Sequence, residues 1–410
     1  MSRKYQAALA GLILIGAVQN ATADVISDWN EKAVTYVLSR SMGPPPAERT
    51  IAMMHAAMFD AVNSIERKYR PYLVQLPAPA GTSKEAAAAS AAGSILAAVS
   101  PQTAANLKAM LAVYLDALPA TGKTEGVKLG EAVAAKVIEA RANDGANQQE
   151  SYRANTPPGA YVPTPVVFVP QWPNVKPFVM TSPAQFRAAP PVTLDSPRWA
   201  ADYNEIKALG RVDSATRSAD QAEVARFWLA IGGDVYYPMT RAVAAAKKLE
   251  LIDSARLFAL VSMARADSLI GVFDSKYHYG FWRAVTAIRN GDRDDNPATE
   301  RDPTWLPIAD TPMHPEYPCA HCVQAASMGA VLEALTGSRS IGEVAMTSTT
   351  APGVTRRWTD LHEFVKEVSQ ARIWAGFHYR FSTEAAEKMG RQIGEYAVNN
   401  ALQPVAVAVR

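Results

Sequence analysis

Three short clusters in the second half of the 410-residue chain hold the residue types able to do chemistry. The first is Lys276-Tyr277-His278-Tyr279-Gly280-Phe281-Trp282-Arg283. Seven residues separate Lys276 from Arg283, close to two helical turns, so on one helix both cations would share a face. The second is His314-Pro315-Glu316-Tyr317-Pro318-Cys319-Ala320-His321-Cys322, opening onto a helix expected from Val323. Free N–H groups at a helix start can cradle an anion, and His321 stands at that start. The third is Arg372-Ile373-Trp374-Ala375-Gly376-Phe377-His378-Tyr379-Arg380. Arg372 and His378 would lie about 120° apart on an ideal helix, so they converge only if the chain bends, for which Gly376 offers a break. Cations, imidazoles and free N–H groups together suit a tetrahedral oxyanion. Taken singly, each cluster also reads as ordinary surface cations or satisfied structural histidines.

Cys319 and Cys322 are the only cysteines. Three residues apart at a helix start, they fit either a tight local disulfide or two buried thiols. Val323 follows Cys322, where haem attachment would need histidine. Zinc would need more ligands than this pair supplies.

The elements that must position these residues read as helices. Expected spans are 28–38, 48–66, 84–99, 102–118 and 123–142, then 198–209, 219–231, 242–251, 253–274, 277–289, 323–335, 361–372 and 379–399. Between residues 157 and 197 stand eleven prolines, interleaved with Tyr161, Phe168, Trp172 and Phe178. Proline removes a donor and fixes φ, so this stretch is neither helix nor central strand. It suits a belt packing two bundles or the wall of a substrate channel. No alternating strand pattern dominates and no repeat emerges. The fold class is therefore all-α: packed helical bundles joined by long proline-rich loops. The expected divisions are a leader over 1–23, an N-terminal helical region over 24–145, the proline/aromatic belt over 146–197, and a C-terminal bundle carrying the oxyanion site over 198–410.

The leader is a signal peptide by pattern. Arg3 and Lys4 precede an apolar run from Ala7 to Val18, and Ala21-Thr22-Ala23 supplies the cleavage site. Twelve apolar residues are too few to span a bilayer. A periplasmic or secreted protein, not inserted in a membrane after cleavage, is expected. The 41 basic and 39 acidic residues become 39 of each once Arg3 and Lys4 are lost, a balance that offers nothing to nucleic acid. An oxidising compartment would also favour a Cys319–Cys322 bond.

Together the three clusters resemble the vanadium-dependent haloperoxidase family, in its bacterial branch, and its relatives the type 2 phosphatidic-acid phosphatases and bacterial non-specific acid phosphatases. The family pattern is Lys-x6-Arg, then Pro-Ser-Gly-His, then Arg-x5-His. Lys276 and Arg283 match the first part, His321 the second, and Arg372 with His378 the third. The stretch around His55, Asp60 and Asn63 and the proline belt look similar too. The resemblance implies vanadate as cofactor, with phosphate as a surrogate. Lys276, Arg283 and Arg372 would hold its equatorial oxygens, together with the Cys319–Ala320 segment. His378 would be the axial ligand, or the nucleophile of a phosphatase, and His321 the acid–base group. His314, five residues before Cys319, occupies a position that is histidine in bromoperoxidases and phenylalanine in chloroperoxidases. The implied reaction is oxidation of bromide or iodide by hydrogen peroxide, with a small organic acceptor taking up the halogen.

The chain departs from the pattern where Pro318-Cys319-Ala320-His321 replaces Pro-Ser-Gly-His. A thiol is a weaker donor than a hydroxyl, a thiolate would repel the anion, and peroxide would oxidise it. A diverged homologue of weak activity and an acid phosphatase working through a phosphohistidine are the alternatives. The carboxylate that would orient His321 is open among Asp234, Asp267 and Asp274.

Overall fold

A computed structural model describes residues 24–163 and 166–405, so the leader at 1–23 lies outside the described residues. Helices dominate: α1 (Val25–Ser39), α2 (Pro44–Glu66), α3 (Lys84–Val99), α4 (Ala104–Asp116) and α5 (Lys123–Arg141) precede the belt. After it come α6 (Pro197–Leu209), α7 (Ala219–Phe227), α8 (Tyr237–Lys247), α9 (Leu251–Tyr279), α10 (Ala284–Arg289), α11 (Ala320–Thr336), α12 (Leu361–Trp374) and α13 (Arg380–Asn400).

Local chemistry sets the helix starts. Asp24, Ser83, Ser196 and Ser218 each accept from a first-turn N–H, and Ser218 with Gln221 completes a capping box. Prolines open α2, where the first-turn N–H groups have no helical partner anyway.

The centre is α9. Its 29 residues span roughly 43 Å at the usual rise, and Ile252 to Lys276 is almost wholly buried. Several of its polar residues tie it to other elements. Arg265 is ion-paired with Glu48 of α2. Asp267 accepts the N–H groups of Phe178, Val179 and Met180 at 2.6, 2.8 and 2.8 Å. Asp274 pairs with Arg187 at 2.7 Å. One helix therefore fixes both the N-terminal helices and the belt.

Helices α11 and α13 approach closely because of two glycines one turn apart. A Cβ at Gly390 would fall 2.4 Å from the Val323 oxygen, and one at Gly394 would fall 2.5 Å from the Ser327 oxygen. Any larger residue would separate the two helices whose N-terminal ends flank the site.

Two expectations need correction. The span 277–289 is not one helix: α9 ends at Tyr279, Gly280 caps it with φ of +56°, and α10 begins after Arg283. The fold also carries a hairpin that was not expected, β1 (Ser340–Ser348) antiparallel to β2 (Ala351–Asp360), with Val344 opposite Trp358. Ile341, Val344, Met346 and Ser348 turn inward, while β2 is mostly polar and exposed, so its sequence carries little alternation.

Candidate functional site

The second and third clusters meet at one cavity of about 600 Å³, and His314, Ala320, His321, Arg372 and His378 line it. Lys276 and Arg283 stand directly behind this wall through hydrogen bonds. Lys276 Nζ donates to the Pro315 and Glu316 carbonyls at 3.0 and 2.7 Å. Arg283 Nε donates to the His314 carbonyl at 2.7 Å, its Nη1 to the Phe377 carbonyl at 3.3 Å, and its Nη2 to His314 Nδ1 at 2.9 Å. Their convergence does not come from a shared helix face. Lys276 lies in the last turn of α9 and Arg283 is the N-cap of α10, so the break at Gly280 folds the second cation back.

Arg372 and His378 converge through the bend at Gly376. That residue has φ of +81°, and a Cβ there would lie 2.5 Å from the Gly210 oxygen. The turn is closed by Phe377 and His378 N–H groups donating to the Arg372 carbonyl at 3.0 and 3.3 Å. Arg372 Nη1 donates to the Trp228 carbonyl at 2.6 Å. The Trp228 ring packs on Trp358 and Phe364, 5.9 and 5.3 Å between centroids. The unexpected hairpin thus braces the loop that holds Arg372.

Helix α11 starts at Ala320, three residues earlier than expected, which puts His321 in the first turn. Cys319 is its N-cap and is disulfide-bonded to Cys322, so the bonded form holds between the two alternatives left by the sequence. The Cys319 sulfur accepts the Cys322 N–H at 3.2 Å. The Ala320 and His321 N–H groups at this helix end have no partner among the described residues, and both residues line the cavity.

His321 Nε2 meets the Ala230 carbonyl at 3.2 Å. None of the three candidate aspartates orients it. Asp267 and Asp274 hold the belt, and Asp234 faces Thr349 at 3.5 Å. A carboxylate does orient the other imidazole: Glu316 Oε1 lies 2.7 Å from His378 Nδ1 and accepts the Tyr379 N–H at 3.2 Å. Glu316 went unnoticed because it sits inside the second cluster as one of several polar residues, 62 positions from its partner. The pairing of two segments so distant in the chain leaves no spacing signal.

Burial governs the electrostatics. It pushes His314, His321 and His378 well below the ordinary imidazole value, and neighbouring arginines and Lys276 add to the effect, so all three are neutral at pH 7. Burial lowers Arg372 to about 9 and Arg283 to about 10, leaving both cationic. Lys276 is pushed down by burial and then by Arg283, against the pull of Glu316. Burial raises Glu316 to about 7, opposed by Lys276 and Arg283. Three buried basic side chains face one carboxyl group, an imbalance that an anion would relieve.

The rest of the cavity wall is apolar: Phe168 from the belt, Leu229, Ile231, Leu269, Phe273, Met313 and Phe377. Within the belt, Phe168 lines the cavity while Trp172 and Phe178 are core. His55, Asp60 and Asn63 stand elsewhere and are structural. His55 Nε2 accepts from Asn30 at 3.0 Å, Asp60 receives three N–H groups of residues 72–74, and Asn63 pairs with the Tyr69 backbone. Among the described residues no helix is long and apolar enough to cross a membrane.

Residues 256–406 match the family model of the VCPO second helical-bundle domain. The vanadium chloroperoxidase of Curvularia inaequalis is 28% identical over 396 residues, covering 74% of this chain and 64% of that protein. Among solved structures, a bacterial vanadium-dependent iodoperoxidase superposes with a TM-score of 0.79 at 22% identity, covering 93% of this chain and 97% of the other. A holo-type bacterial vanadium-dependent chloroperoxidase gives a TM-score of 0.72 at 17% identity over 87% and 92%. At those identities the structures establish the fold.

Proposed function

We propose that the chain is a vanadium-dependent haloperoxidase that oxidises iodide and bromide with hydrogen peroxide at a vanadate held in this cavity, a reading supported by the match of residues 256–406 to the VCPO second helical-bundle domain and by the similarity to the Curvularia inaequalis protein. The observation that carries the reading is Arg372 and His378 lining one cavity, with Lys276 and Arg283 hydrogen-bonded to the backbone of its wall and Glu316 behind His378.

The residues fit an oxyanion. Arg372 Nε has no hydrogen-bond partner among the described residues, and the Ala320 and His321 N–H groups are free. A buried guanidinium with an unused donor is ready for an anion's oxygen. Lys276 Nζ spends two of its three donors on carbonyls, leaving one. Among the described residues no three acidic, cysteine or histidine side chains gather as metal ligands; an oxyanion calls for cations instead. The disulfide removes the thiolate that would oppose the anion, and with it the hydroxyl-like donor of the family pattern.

Bound vanadate would supply an electrophilic site that activates peroxide toward halide without a change in metal oxidation state. The overall balance is halide, hydrogen peroxide and one proton giving hypohalous acid and water. Lys276, Arg283 and Arg372 neutralise the anion's oxygens. Glu316 accepts the Nδ1 proton of His378, so the Nε2 lone pair is left to bind. Neutral His321 is in the form that takes a proton from incoming peroxide. His314 is held by Arg283 and its ring lies tilted against Phe273, 5.1 Å between centroids, a polar edge set into an apolar wall.

The test is turnover of iodide, bromide and chloride with peroxide, with and without vanadate, beside hydrolysis of an aryl phosphate. Vanadate-dependent oxidation in the order iodide, bromide, chloride is expected. Chloride turnover equal to bromide would overturn the halide assignment. Phosphate hydrolysis inhibited by vanadate would establish the phosphatase alternative, which the oriented His378 also suits as a nucleophile. We further infer a periplasmic or secreted setting and a small apolar organic acceptor, supported by the leader pattern and the apolar cavity wall.

A further inference from the structure

Gln324 stands on α11 one turn beyond His321, 2% exposed, in the wall of the cavity. Its Oε1 accepts from Arg265 Nη2 at 2.9 Å. A guanidinium can only donate, so the amide orientation is fixed by chemistry: oxygen toward Arg265, –NH2 away from it. Arg265 cannot swing aside to release it. It is fully buried and ion-paired with Glu48, whose Oε2 also accepts the Tyr237 hydroxyl at 3.0 Å. The Gln324 –NH2 group has no protein partner among the described residues. The group keeps access to the cavity, where a ligand or water can take its hydrogens.

The wall beside it is apolar, with Leu269 and Phe273 from α9 and Ile231 from the loop after α7. Nearby positive charge comes from Arg372, whose Nε also lacks a partner among the described residues. A site of this kind selects an anion that is large, polarisable and weakly hydrated. Such an ion loses little on leaving water, gains a charge-assisted hydrogen bond, and tolerates an apolar flank.

We propose that the Gln324 –NH2 group, set between Arg265 and the apolar wall, is the donor of a halide subsite that admits iodide and bromide in preference to chloride. The proposal rests on the haloperoxidase reading and adds to it a residue that fixes halide affinity. A single neutral donor holds the ion without neutralising it, so the halide keeps its nucleophilicity.

The test uses two substitutions and two readouts. Gln324→Leu removes the donor at similar volume. Gln324→Glu keeps an acceptor for Arg265 but replaces –NH2 with a second oxygen that repels anions. In steady-state turnover with vanadate, the KM for iodide should rise roughly tenfold or more in Gln324→Leu and further in Gln324→Glu. The KM for peroxide should stay within about twofold. In the vanadate-free protein, bromide should show NMR line broadening with wild type that both variants lose. An unchanged iodide KM, or unchanged broadening, in well-folded variants overturns the subsite. Should wild type oxidise no halide yet broaden the bromide line through Gln324, the subsite stands and the oxidation reading falls. Halide turnover with no Gln324 dependence gives the reverse.

Discussion

Glu316 Oε1 lies 2.7 Å from His378 Nδ1, and both side chains are buried. The same residue takes the Lys276 ammonium on its carbonyl at 2.7 Å and donates its own N–H to the Phe281 carbonyl at 2.9 Å. One residue thereby joins the end of α9, the break before α10 and the start of α13. The carboxyl group selects the His378 tautomer, while the backbone sets the position of the nearest cation.

Replacing this carboxyl group should therefore damage the site without unfolding it. Glu316→Ala should lower turnover by roughly 10- to 100-fold, the usual effect of losing a group that orients a ligand imidazole. Glu316→Gln keeps an acceptor for Nδ1 and the Tyr379 N–H, and should fall between. Nitrogen-15 spectra of labelled histidine should show the Nδ1–H tautomer in wild type and Glu316→Gln, and a mixture in Glu316→Ala. Unchanged turnover and tautomer in Glu316→Ala would refute the role.

Arg372 is the cation with the clearest spare donor. Calorimetry with vanadate, and separately with phosphate, should show at least tenfold weaker binding in Arg372→Ala, since a hydrogen bond to a charged group contributes about 1.5–3 kcal/mol. Arg372→Lys keeps charge without the planar fork and should be intermediate. Equal vanadate affinity in wild type and Arg372→Ala would remove Arg372 from the site.

The Cys319–Cys322 bond governs the charge at the start of α11. Alkylation of the purified protein without reductant, read by mass spectrometry, should find no free thiol. Two alkylated cysteines would defeat the bonded form in solution. Reduction by a dithiol should weaken vanadate binding, because a helix N-terminus favours a thiolate and that charge opposes the anion. Equal affinities before and after reduction would leave the bond as a structural staple.

Burial lowers His55 from the ordinary 6.5 to about 3. The folded state therefore binds fewer protons than the unfolded chain between these values, and stability present above pH 6.5 is lost as pH falls. From pH 7 to 5 His55 alone should cost about 2 kcal/mol. Denaturant unfolding at the two pH values should show that loss reduced by a similar amount in His55→Gln, which can still accept from Asn30. An identical pH dependence in the two proteins would count against a buried neutral imidazole.

Helices were legible along most of the chain because capping residues, prolines and apolar spacing act locally. The site residues Lys276, Arg283, His321, Arg372 and His378 were legible as ordered clusters, each confined to a few adjacent positions. Within those clusters one local argument fails: Lys276 and Arg283 approach across a helix break, not along a helix face. The bend between Arg372 and His378 could be anticipated, since Gly376 is the residue that permits it.

What only the tertiary structure decided are pairings between segments far apart in the chain. The Glu316–His378 hydrogen bond spans 62 residues, Arg265–Gln324 spans 59, and Arg372–Trp228 spans 144. The hairpin bracing Trp228 belongs with these, since its register depends on which face the helices leave to be covered. Local sequence fixes torsion angles and caps within a turn or two. Which buried donor meets which acceptor is set when the core excludes water and each polar group must take the partner within reach.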